Sequence, residues 1–143
     1  MKTKHLIPIV ILTLFAFTSC TETYVERVSA DYWQIVDIDI PASSWCAYSS
    51  DGMEAYYQAD VNIPELTKTV FDDGFVLCYL VEDGVQMQLP YTRHYENLEG
   101  DRWTATLDYD YFVGGMRVYY TTNDFYYTAD QPGYMRLRLV MQW

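Results

Sequence analysis

The side chains with chemistry to offer in this 143-residue chain are mostly carboxylates and tyrosines. Asp37 and Asp39 stand two apart, as do Asp108 and Asp110, while Asp72-Asp73 and Glu82-Asp83 are neighbours. Residues two apart on a β-strand share a face, so each of the first two pairs can present hard oxygen ligands to calcium or work as acid and base. No EF-hand spacing accompanies them, and a solvated acidic strand face is the plainer reading. Two carboxylates also hydrolyse glycosides, but that chemistry needs a cleft that holds the sugar, and a chain of this size has little material for one.

Activating a nucleophile needs a base, and beyond His5 the only histidine is His94, in a polar stretch. Neither a GxSxG pattern nor a papain-like cysteine motif is present, so an acid/base hydrolase would have to bring Asp108, Asp110 and His94 into one pocket. Cys46, Cys78 and His94 are isolated, without CxxC or HExxH spacing, so no zinc is expected; with the acidic pairs read as solvated, no metal site and no cofactor is assigned.

The tyrosines carry the sharper idea. There are 15, with four tryptophans, and Tyr56, Tyr119, Tyr126 and Tyr127 fall opposite or beside the inward positions of their strands. Exposed rings can stack on sugar faces while their hydroxyls hydrogen-bond, which points to a non-catalytic module binding a glycan or a protein. The alternatives are cross-strand pairs that only stabilise the sheet, or a structural subunit that assembles through an exposed sheet edge.

Residues 1–19 read as a secretory signal: Lys2, Lys4 and His5, then the apolar run Leu6 to Phe17, then Thr18-Ser19 before Cys20. That run is 12 residues long, whereas a membrane-spanning helix takes about 20. Phe17-Thr18-Ser19-Cys20 resembles the lipobox of bacterial lipoproteins, although Phe17 stands where that motif usually has Leu. The resemblance implies a diacylglycerol on the Cys20 thiol and membrane attachment through it. Ordinary cleavage and a soluble product is the alternative. Lys2 and Lys4 leave with the signal, so the formal charge of −11 becomes −13. Such a charge argues against anionic lipid and nucleic acid, which demand a basic face, and nucleic acid is excluded as a partner.

Once Cys20 is lipidated, Cys46 and Cys78 remain, and an oxidising envelope would permit a bridge between them. Cys78 falls on an apolar alternation position, which favours a buried free thiol.

The elements that must position these groups are strands. Residues 20–31 read as a tether and residues 32–143 as one domain. Tyr32 to Ile40, Glu54 to Val61, Arg102 to Phe112, Met116 to Thr121 and Tyr134 to Trp143 all alternate apolar and polar residues. Trp45 to Tyr48 is a short piece between turns. Phe75 to Val81 is continuously apolar, and Asp83-Gly84 supplies a tight type I′ turn into Val85 to Leu89. Asn62-Ile63-Pro64-Glu65 predicts the one helical turn, with Leu66 and Val70 facing inward and Gly74 ending it in a left-handed conformation. Thr92 to Asp101 reads as a loop. Seven or eight short strands without βαβ alternation predict an all-β fold, an antiparallel β-sandwich of the immunoglobulin-like or a related kind; a closed β-barrel is the alternative.

The stretch Val61 to Tyr91, with Ile63-Pro64-Glu65-Leu66-Thr67, Val70, Asp73-Gly74, Val76, Tyr79 and Leu89-Pro90-Tyr91, resembles a group of small Bacteroidetes lipoproteins. The resemblance implies an outer-membrane lipoprotein and brings no established activity with it. Thr21-Glu22-Thr23 carries a single acid after Cys20, which leaves the periplasmic and surface leaflets both open.

Overall fold

The computed structural model describes residues 25–30, 32–50, 54–123 and 131–143. Among them, ten strands form two five-stranded antiparallel sheets. The first sheet holds β1 (Val25–Ala30), β2 (Trp33–Ile40), β10 (Met135–Gln142), β5 (Phe75–Glu82) and β6 (Val85–Gln88), in that order. The second holds β3 (Cys46–Ser50), β4 (Glu54–Asn62), β9 (Gly115–Thr122), β8 (Arg102–Phe112) and β7 (Tyr91–Glu96). The sheets stay separate, so the fold is a sandwich and not a barrel.

Alternation sets which side of each strand is buried. Val36, Ile38 and Ile40 of β2 lie beside Leu137 and Leu139 of β10 and Cys78 of β5, and all are sealed from solvent. From the other sheet Ala59, Val61, Leu107, Met116 and Val118 close the core. These side chains form one buried cluster, so the two inner faces make a single hydrophobic unit.

Three sequence expectations change. Residues 25–30, read as tether, pair with β2 from Val25 opposite Ile38 to Ala30 opposite Trp33, so the domain starts earlier. Tyr91–Glu96, read mostly as loop, is β7 and pairs along its length with β8. The helix α1 is Lys68–Asp73, later than Asn62 to Glu65: Thr67 caps it by accepting the Val70 amide at 3.3 Å. Gly74 ends it in an extended conformation, with φ −102°, so the glycine is there for space and not for a left-handed turn.

The hairpin from β5 to β6 is as expected. Asp83 (φ 51°) and Gly84 (φ 77°) take the two positive torsions of its turn.

The outer face of the first sheet carries Asp37 and Asp39 as a salt-linked row. Asp37 accepts from Arg138 Nε at 2.6 Å and Nη2 at 2.8 Å, and Arg136 lies 3.7 Å from it and 3.8 Å from Asp39. Bonding to Arg138 holds the Asp37 carboxyl below its ordinary range, against the opposing effect of burial. A depressed folded-state value stabilises the fold above the ordinary carboxylate range, and that stability disappears as pH falls through the depressed value. Asp37→Asn is expected to cost about 1 to 2 kcal/mol at pH 7. In urea unfolding the difference from the native chain should shrink toward pH 2, and a pH-independent difference would refute the assignment.

Candidate functional site

The outer face of the second sheet carries two of the four sequence-predicted tyrosines, Tyr56 and Tyr119. Positions that alternate with the core residues point outward, so β4 presents Tyr56, Gln58 and Asp60, and β9 presents Arg117, Tyr119 and Thr121. The Tyr56 and Tyr119 rings meet edge to face with centroids 5.7 Å apart. Tyr48, from the edge strand β3, stacks on Tyr56 at 5.7 Å. Three rings thus run across three strands. Tyr126 and Tyr127, the other two expected site residues, lie outside the described residues, as does Cys20.

Polar groups frame the rings. The Tyr119 hydroxyl donates to Asp110 at 2.7 Å, and burial together with this bond pushes the phenol's pKa above its ordinary value. Arg117 lies 3.6 Å from Asp110 and 3.9 Å from Asp60, and it covers the Phe112 ring at 5.1 Å. On β8, Thr104, Thr106 and Asp108 share this outer face, Thr106 opposite Thr121 on one side and Thr92 on the other. A hollow of about 570 Å³ lies over Tyr56, Tyr119, Thr106, Asp108, Thr121 and Asn123. A second, of about 360 Å³, adjoins it through Thr104 and Asn123 and reaches His94 and Arg102.

The acid/base constellation is not brought together. His94 faces Thr104 across the β7–β8 ladder and bonds its hydroxyl at 2.8 Å. Asp108 is four residues further along β8, roughly 13 Å away, and Asp110 further still. Asp108 accepts its own neighbour's amide, that of Tyr109, at 2.7 Å. Among the described residues no group of three or more histidine, cysteine, aspartate or glutamate side chains is placed to hold a metal ion.

The possible Cys46–Cys78 bridge is not formed, and both thiols are free. Cys78 faces the core of the first sheet, while Cys46 pairs with Gln58 on the far side of the second. Packed sheets stand about 10 Å apart, and a disulfide needs Cα atoms within about 7 Å. Burial raises the Cys78 thiol pKa to about 12, which leaves it inert at neutral pH.

Tyr48, the outward threonines and Asn123 belong to the site without having been singled out from the sequence. Thr104, Thr106, Asp108 and Asp110 alternate with Trp103, Ala105, Leu107 and Tyr109, and that second face of the Arg102 to Phe112 pattern was the available signal.

Fold and site together define an antiparallel β-sandwich with an aromatic, hydroxyl-rich outer face. No family model, curated protein or solved structure matches the chain.

Proposed function

We propose that this protein is a non-catalytic binding module of the bacterial cell envelope, lipid-anchored to the outer membrane through Cys20, that holds a glycan against the outer face of its second sheet. The observation that carries the reading is the Tyr48–Tyr56–Tyr119 row beside a hollow lined by threonine hydroxyls and the Asp108 carboxylate. Aromatic rings give area and orientation to a sugar ring, and the flanking polar groups select its hydroxyls.

The test is a glycan array probed with the full chain in detergent, followed by calorimetry on the hits. Tyr56→Ala and Tyr119→Ala are each expected to weaken binding about tenfold, from roughly 1.4 kcal/mol per stacked ring, with the unfolding midpoint checked alongside. An array without hits, or affinities that neither substitution changes, would count against the reading.

Assembly through a sheet edge is the second reading, and β3 favours it. This edge strand, Cys46–Ser50, contains no charged residue and no proline, the devices that ordinarily keep an edge from pairing with another chain.

A further inference from the structure

Resting on that reading, we infer that the site takes an extended, uncharged oligosaccharide laid across the strands, about three pyranose rings long, and not a single sugar or a polyanion. The register sets the direction. Thr121, Thr106 and Thr92 stand opposite one another on β9, β8 and β7, so their hydroxyls form a row perpendicular to the strands. Tyr56, one residue beyond the Tyr57–Tyr120 pair, begins the row on β4. Strands recur across such a row at about 4.8 Å, and the Thr92 and Thr106 hydroxyls close to 3.1 Å in a mutual hydrogen bond, whereas same-face groups along one strand recur at about 6.8 Å. A ligand that repeats its own hydroxyls at close intervals is met by the row and not by the strand.

The larger hollow covers this row from Tyr56 through Thr121 to Thr106, and the smaller one reaches β7 two residues along, at His94 and not at Thr92. They join at Thr104 and Asn123, where the Asn123 side-chain oxygen accepts the Thr104 amide at 2.7 Å, a bond that fixes the floor between them. From β4 to β7 the groove spans three strand spacings, roughly 15 Å. A monosaccharide fills a fraction of it.

Charge selects the ligand. Asp60, Asp108 and Asp110 share this face with Arg117, while Arg102 in the smaller hollow is matched by Glu96 at 3.0 Å, so acids outnumber bases along the groove, in a chain whose formal charge is −11. The acidic excess repels uronates and sulfated sugars, while a carboxylate such as Asp108 accepts hydrogen bonds from neutral hydroxyls.

The experiment is a titration of the full chain in detergent with neutral oligomers of glucose, mannose, xylose and N-acetylglucosamine from one to six rings, and with uronate oligomers of the same lengths. Affinity in at least one neutral series should rise at least tenfold from one ring to three and then level off. Thr106→Val, which keeps the β-branched shape and removes the hydroxyl, should weaken the three-ring ligand about fivefold and leave the unfolding midpoint in place. Tyr56-dependent binding that is as tight for one ring as for three, or tighter for uronates, overturns this inference and leaves the glycan reading standing. No binding by any member of the panel overturns both.

Discussion

Replacing Gly74 with alanine is expected to destabilise the fold by about 3 kcal/mol, lowering the thermal midpoint by about 10 °C. A β-carbon built there would lie 2.4 Å from the Gln142 carbonyl oxygen and 2.7 Å from that of Val70. Both are backbone atoms, one in β10 at the centre of the first sheet and one in α1, so neither can swing aside as a flexible side chain would. The sign of the result is informative. Gly74 has a negative φ that alanine adopts freely, and by unfolded-state entropy alone the substitution would stabilise the chain by about 0.4 to 1 kcal/mol. Gly84→Ala is the control: its φ of +77° costs alanine about 1 to 2 kcal/mol, but open space surrounds it. A Gly74→Ala chain as stable as the native one in urea would show that the helix end and the last strand can move apart.

Cys20→Ser should have an all-or-none effect on the proposed anchor. Each buried methylene contributes about 0.8 kcal/mol of membrane affinity, and two or more acyl chains make attachment effectively permanent. Cells fed an alkyne-bearing fatty acid should label the native chain and not the Cys20→Ser chain, which should leave the membrane fraction. Only four residues separate Cys20 from Val25 at the start of β1, so an extended chain reaches about 18 Å at most. A native chain that takes no label and fractionates with soluble proteins would remove the anchor from the proposal, while the sugar-binding face would remain to be judged by its own titrations.

Much of the architecture was legible because a half-buried strand writes its burial into every second residue. The alternation over Arg102 to Phe112 has the same bounds as β8, since Trp103, Ala105, Leu107, Tyr109 and Tyr111 repeat without a break. The hairpin at Asp83-Gly84 was legible for a different reason: only two residues connect its strands, and their types match the torsions required.

The sequence conceals β7 although it alternates, because Arg93 occupies an inward position between Tyr91 and Tyr95. Tertiary contacts make that tolerable: the guanidinium bonds Glu82 at 2.6 Å and lies over the Tyr91 ring at 5.5 Å. Glu82 is on the other sheet, so nothing local announces the partner.

By itself, then, the amino-acid order determined that the chain forms sheets, which side of most strands is buried, and where the tight turn falls, because these follow from neighbours one or two residues away. The folded arrangement decided that Tyr48, Tyr56 and Tyr119 form one row, that Cys46 and Cys78 are kept apart, that His94 lies far from Asp108, and that the last strand occupies the centre of the first sheet. Those facts depend on which strands become neighbours. That choice is made by the joint packing of segments far apart along the chain, as when β10 lies between β2 and β5, and periodicity is the same for every order in which the strands are laid side by side.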